Sequence, residues 1–191
     1  MTLFPALLIA TSIVWIGFEL TLIVRDRVRG KGKTGRDRGT RSYNFIAIIL
    51  GMTVASVLQG NPRFFFPGGR SSTIFWVGLC LEWLGFGVRI WAVITLGAAF
   101  RTTVETHTDQ PVVRSGPYRL VRHPSYMGLL LMCCGFGIAL QNWLSFLFAL
   151  VLPLAAILYR IHVEEAALVS SMGPAYQEYQ KETKKLVPWV W

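Results

Sequence analysis

The stretch YMGLLLMCCGFGIALQNWLSFLFALVLPLAAILY (residues 126–159) decides the fold. Two apolar runs, 126–140 and 143–159, are separated only by Gln141 and Asn142. A polar pair of that size between greasy runs predicts a helical hairpin, two apolar helices joined by a tight turn. Each run falls somewhat short of the roughly 20 residues that cross a hydrocarbon core of about 30 Å as a helix. The helices are therefore expected to draw in neighbouring residues. Pro153 lies inside the second run. It removes a backbone donor, a loss that membrane helices tolerate where neighbouring groups compensate.

Working outward, three further apolar segments precede the hairpin, at 3–24, 43–58 and 72–96. Hydrophobic residues make up 53% of the 191 residues and charged residues 15%, whereas soluble domains carry about 25% charged residues. The chain reads as all-α and polytopic, an integral membrane protein with about five transmembrane helices and no Rossmann domain. The first apolar run lacks a basic leader and a small-residue cleavage site, and is expected to be a retained helix. Residues 1–96 form an N-terminal three-helix transmembrane region. Residues 97–191 comprise a connector loop, the hairpin and a polar tail. In the tail, Gly173-Pro174 should end the helix that leaves the hairpin, and the tryptophans of LVPWVW suit a membrane interface.

The net charge is +9, from 19 basic and 10 acidic residues. Such an excess can signal nucleic acid, but here the basic residues lie between apolar runs, in no basic helical or stranded motif. Membrane lipids with anionic headgroups are the expected partners. With five helices, the loop 25–41, the connector 97–125 and the tail 160–191 share one side. They hold 8, 4 and 4 basic residues. Only Arg63 and Arg70 lie on the other side, and Arg89 lies within a helix. The positive-inside rule then sets the N-terminus outside and the C-terminus in the cytoplasm.

Several chemistries find no support. There is no GxGxxG fingerprint, P-loop or metal-ligand spacing, so no metal is expected. Cys80, Cys133 and Cys134 lie in apolar runs, form no CxxC pair, and are read as small buried apolar groups. Within segment 72–96, Gly78, Gly85 and Gly87 suit either close helix packing or space for a lipid tail. Glu82 and Arg89 in that segment are costly in a bilayer unless paired or hydrated. They are expected to pair with each other through water or with Glu19, as a structural network or a substrate gate.

The connector carries VVRSGPYRLVRHPSYMG (residues 112–128), polar, basic and twice broken, at Gly116-Pro117 and His123-Pro124. Two readings stand open: an interfacial turn meeting headgroups, or a loop lining a small polar pocket beside the membrane. The stretch YRIHVEEAAL (residues 159–168) bears on the choice. Arg160 and Glu164 are four apart, on one helix face, while Glu165 points elsewhere. The pair is either an interfacial salt bridge or a receptor for an anion and a cation, since a guanidinium matches a carboxylate and a glutamate can hold an ammonium.

RSGPYRLVRHPSYMG, followed after the hairpin by RIHVEEAALVSSMGPAYQEYQKETKKLVPWVW, closely resembles the isoprenylcysteine carboxyl methyltransferase family, part of a wider group of membrane phospholipid and isoprenylcysteine methyltransferases. The resemblance runs from about Phe100 to the C-terminus. It implies a catalytic region at 97–191 with a cytoplasmic pocket for S-adenosyl-L-methionine, built from connector and tail. It places cofactor contacts at Gln110, Pro111, Val112, Val113, Tyr118, His123, Pro124, Ser125, Tyr126 and Glu164, with Glu165 in support and a further upstream contact at Glu105. Family members often carry histidine where this chain has Gln110. Arg160 is implied to bind the substrate, and Arg160 and Glu164 to be catalytic. The implied reaction is methylation of the carboxylate of an isoprenylcysteine or similar lipophilic acceptor. Methylation of a phospholipid amine or another small lipophilic acceptor, and a non-enzymatic membrane scaffold, remain as alternatives.

Overall fold

The computed structural model describes residues 3–28, 40–97, 100 and 112–188, with Arg27 and Arg41 described by their backbone alone. Six helices follow in order: α1 (Leu3–Val28), α2 (Thr40–Leu58), α3 (Ser72–Leu96), α4 (Pro124–Ala139), α5 (Trp143–Met172) and α6 (Pro174–Glu182). Two 3-10 turns, Pro62–Phe64 and Gly116–Arg119, sit in the connections. α5 passes beyond Tyr159 without a break and stops at Gly173, whose φ is +56°. Charge ends an apolar run but not a helix, and Glu, Ala and Leu just beyond it are good helix formers. Among the described residues, three helices are long and apolar enough to cross a membrane: Leu3–Asp26, Ser72–Leu96 and Trp143–Met172. Two more, Ser42–Leu58 and Pro124–Ala139, are apolar but shorter.

α3 and α4 meet backbone to backbone. A Cβ on Gly78 would lie 2.4 Å from the Ala139 nitrogen, and one on Gly135 would lie 2.4 Å from the Glu82 nitrogen. Further along, Gly85 and Gly128 face each other in the same way, each Cβ falling within 2.7 Å of the other's carbonyl oxygen. Lipid tails are as apolar as leucine, so helices in a membrane associate through such close van der Waals contact. Gly78 and Gly85 are thus packing residues, whereas a Cβ on Gly87 would meet nothing within 4 Å. The pairings run in opposite order along the two helices, which makes α3 and α4 antiparallel.

α2 packs antiparallel on α5. The Ser145 hydroxyl donates to the Ala55 carbonyl at 2.7 Å, and a Cβ on Gly51 would lie 2.8 Å from the Phe148 carbonyl oxygen. The Pro153 ring seats at that same crossing, inside α5. α1 joins α3 mainly through side chains, in parallel order. Phe4 stacks on Phe75 with ring centroids 4.4 Å apart, Thr11 Oγ1 donates to Glu82 Oε1 at 3.2 Å, and Arg89 Nη2 donates to Glu19 Oε2 at 2.7 Å. Arg89 and Glu82 therefore each reach α1 rather than each other.

The hairpin turn is held from outside. Asn142 is fully buried and its side chain accepts from the Leu144 and Ser145 backbone N–H groups at 3.0 and 3.1 Å. Its amide also donates to the Asn61 carbonyl at 3.1 Å. Gln141, at φ +57°, accepts from the backbone N–H of Phe66 at its carbonyl and from that of Ser71 at its side chain. Two residues of sequence thus cap α5, close the turn and fasten it to the α2–α3 connection. Of the cysteines, Cys133 is buried in the core and Cys134 is only half-buried, but Cys80 is exposed on the outer surface of α3. The expectation of three buried thiols does not hold for it, because α3 turns only its glycine face towards α4.

These directions put the C-terminal ends of α1, α3 and α5 beside the N-terminal ends of α2 and α4. Phe100, the turn at Gly116–Arg119, Thr40 and Arg160 all gather at that end.

Candidate active site

Proline lies in the first turn of both helical pieces, Pro117 second in the 3-10 turn and Pro124 first in α4, where an intrahelical N–H would be unpaired anyway. Gly116, at φ +55°, seats the turn so closely on α3 that a Cβ there would lie 2.9 Å from Thr95 Oγ1. Tyr118 is buried beneath it. Its hydroxyl points to the Ala92 carbonyl at 3.5 Å, and its own carbonyl accepts from the Tyr179 hydroxyl at 2.7 Å. Burial raises both phenols, Tyr179 to about 12 and Tyr118 further, so both remain protonated donors near neutral pH.

The connector is then sewn to the tail. The backbone N–H groups of Arg122 and His123 donate to the carbonyls of Lys184 and Lys185 at 2.8 and 3.0 Å. The Arg122 guanidinium donates to the Gln180 carbonyl at 3.1 Å and also to that of Thr183. Its Nε donates to Glu165 Oε1 at 2.8 Å, where His123 Nε2 also approaches to 3.4 Å, and Lys185 Nζ lies 3.7 Å from Glu165 Oε2. Glu165 is the anchor of this seam.

One turn of α4 beyond it lies the centre of the site. Tyr126 Oη donates to Glu164 Oε2 at 2.6 Å and accepts from Arg160 Nε at 2.6 Å. Arg160 is 4% exposed, its Nη1 donates to Thr40 Oγ1 at 3.0 Å, and its guanidinium carbon lies 5.9 Å from the Tyr126 ring centroid. The His123 ring stacks on Tyr126 at 5.6 Å and 25°. The phenol thus separates a carboxylate from a guanidinium that α5 carries one turn apart. The arrangement offers a negative group to a cation, and beside it a planar guanidinium suited to a carboxylate.

Tyr126, Arg160 and Glu164 come together, and His123 and Glu165 adjoin them. Pro124 is the buried first residue of α4. The Ser125 hydroxyl accepts from Arg89 Nη1, as does its carbonyl at 3.3 Å, so this residue ties α4 to α3. Tyr118 belongs to the packed seam between connector, α3 and α6. Val112 and Val113 are half-buried at the approach to the turn. Glu105, Gln110 and Pro111 lie outside the described residues. Sequence reasoning did not find Thr40, or the Lys184–Lys185 backbone edge. A threonine ending a basic loop carries no signal, and backbone acceptors have none in any sequence.

Known proteins share this arrangement of segments. The family model of isoprenylcysteine carboxyl methyltransferases matches residues 76–170, which include Arg89, Tyr126, Arg160 and Glu164. A probable protein-S-isoprenylcysteine O-methyltransferase of Oryza sativa subsp. indica is 33% identical over 145 residues, covering 74% of this chain and 76% of the rice protein. The protein-S-isoprenylcysteine O-methyltransferase of Tribolium castaneum is 33% identical over 132 residues, 66% of this chain. This chain spans about half the length of that beetle relative, 46%. The solved structure of the eukaryotic intramembrane Ras methyltransferase, isoprenylcysteine carboxyl methyltransferase, aligns with a TM-score of 0.54 at 24% identity, over 83% of this chain and 54% of that one, and so shares the fold. With the RSGPYRLVRHPSYMG segment and the start of the second, residues 160–170, inside the matched region, and three quarters of the rice relative covered, the chain belongs to the isoprenylcysteine carboxyl methyltransferase family.

Proposed function

We propose that this protein transfers a methyl group from S-adenosyl-L-methionine to the carboxylate of an isoprenylcysteine or similar lipophilic acceptor. The observation that carries this reading is Tyr126 bridging Arg160 and Glu164 at the seam of connector and tail. It supports a site for one cation and one anion side by side. When bound, the cofactor supplies an electrophilic methyl group on a sulfonium centre. Glu164 is half-buried and carries a carboxylate suited to the cofactor's ammonium or ribose hydroxyls.

Arg160 orients the acceptor carboxylate. A terminal carboxyl group has a pKa of about 3.3 to 3.7, so it is ionised near neutral pH and no side chain need remove a proton. The cofactor would supply its methyl carbon to a carboxylate oxygen held by Arg160, and its sulfur would keep the electron pair of the bond given up. Two opposite charges disappear in that step, so a site poor in water favours it. The residues' work is alignment within about 3 to 3.5 Å, exclusion of water and the balance of charge. A phospholipid amine fits less well, since it must first lose a proton and would then lie beside a guanidinium.

In this reading the five apolar helices each cross the membrane, and the basic end of the bundle, with the site, faces the cytoplasm. The prenyl chain enters laterally from the bilayer and the cofactor from water. A labelled methyl-transfer assay on the purified chain tests it. Farnesyl- and geranylgeranyl-cysteine analogues should be methylated to base-labile esters, and phosphatidylethanolamine should not. Base-stable incorporation into the phospholipid alone would overturn the carboxylate reading.

A further inference from the structure

We infer that Thr40 is a positioning residue of the acceptor site, its hydroxyl and the Tyr126 phenol together setting the plane in which Arg160 presents its guanidinium. Thr40 is the first residue of α2 and is 1% exposed. Arg160 Nη1 donates to Thr40 Oγ1 at 3.0 Å while Arg160 Nε donates to Tyr126 Oη at 2.6 Å. A guanidinium is rigid and flat. Two hydrogen bonds from different nitrogens, to acceptors on different helices, fix both its position and its tilt. The arginine's alkyl chain alone would leave both free.

The placement of Thr40 does not depend on the site itself. The register of α2 on α5 is set along its length by contacts remote from Arg160: Ser145 Oγ on the Ala55 carbonyl at 2.7 Å, and Gly51 against the Phe148 carbonyl. An antiparallel pair locked at residues 55 and 145, and again near 51 and 148, carries residue 40 to residue 160. α2 thereby contributes a group to the chemistry, and the division into an N-terminal scaffold and a C-terminal catalytic region is crossed at this contact. The inference rests on the reading of Arg160 as the acceptor-binding arginine. It adds that acceptor affinity depends on a hydroxyl that touches neither acceptor nor cofactor.

The experiment compares Thr40→Val, Thr40→Ser and Arg160→Gln in the full chain, purified in detergent. It measures KM and kcat with N-acetylated S-farnesylcysteine, cofactor affinity by calorimetry, and melting temperature. A hydrogen bond from a charged donor is worth enough that Thr40→Val should raise the acceptor KM about tenfold, with cofactor affinity unchanged within twofold. Thr40→Ser, which keeps the hydroxyl, should restore KM to within about twofold of the parent. A purely structural role would lower the melting temperature without splitting KM from cofactor affinity, and that outcome overturns the inference. So does an unchanged KM in Thr40→Val when Arg160→Gln raises it, or a serine variant as impaired as the valine one. If Arg160→Gln itself leaves the acceptor KM unchanged, the reading of Arg160 fails, and the inference fails with it for that separate reason.

Discussion

Tyr126 Oη stands 2.6 Å from Glu164 Oε2 and 2.6 Å from Arg160 Nε, one hydroxyl joining the first turn of α4 to two consecutive turns of α5. Tyr126→Phe deletes both bonds and keeps the ring that stacks on His123. Hydrogen bonds to charged groups contribute about 1.5–3 kcal/mol each. The variant should therefore bind S-adenosyl-L-methionine at least tenfold more weakly by calorimetry while remaining folded. Unaltered affinity would remove the phenol from the cofactor site.

The seam between connector and tail is testable through Arg122 and Glu165, paired at 2.8 Å with side chains 7% and 12% exposed. Arg122→Met and Glu165→Gln should each lower the melting temperature and weaken cofactor binding. A double-mutant cycle should return a coupling energy of about 0.5–3 kcal/mol, as expected for contacting groups in one network. Strict additivity would mean that the backbone bonds to Lys184 and Lys185 hold the seam without this ion pair.

Arg89 and Glu19 form the buried pair that fastens α1 to α3 and, through Ser125, to α4. Removing one partner leaves a buried charge uncompensated, at about 3–5 kcal/mol. Glu19→Leu alone should be markedly less stable in thermal unfolding than the double variant Glu19→Leu, Arg89→Met. The reverse order would argue that Arg89 is satisfied without Glu19.

The two kinds of glycine in the bundle should separate cleanly. Gly135→Ala forces a Cβ to 2.4 Å from the backbone of α3 and should lower the melting temperature or the yield of folded protein. Gly87→Ala meets nothing within 4 Å and replaces a poor helix former with the best. It should leave stability unchanged or slightly higher. Equal damage at both positions would mean that the α3–α4 contact is looser than the backbone geometry describes.

The proposed topology rests on charge and can be read directly. A reporter fused after Trp191 should signal from the cytoplasm, and one fused before Met1 from the opposite side. Both termini reporting from the same side would mean an even number of crossings and would overturn the proposed five-pass arrangement.

Much of this was legible in advance because membrane-compatible sequence is constrained. Segment 72–96 is the helix Ser72–Leu96 in the structure, and Gln141-Asn142 is the hairpin turn. The spacing of Arg160 and Glu164 does put both on the face that meets Tyr126. Other features were not legible. The partner of Arg89 was open between Glu82 and Glu19, since a helix wheel gives a face but not which neighbouring helix faces it. Nor could the sequence show that the Ser125 hydroxyl accepts from Arg89, a contact across 36 residues of chain.

The sequence by itself determined the apolar helices, the breaks between them and the concentration of basic groups at one end, because hydrophobicity, proline, glycine and charge act locally along the chain. Only the tertiary structure decided which helices pair, that Thr40 meets Arg160, and that Lys184 and Lys185 receive the Arg122 and His123 backbone. Those contacts depend on how glycine-lined surfaces slide into register, and that register is a property of two surfaces together rather than of either sequence segment alone.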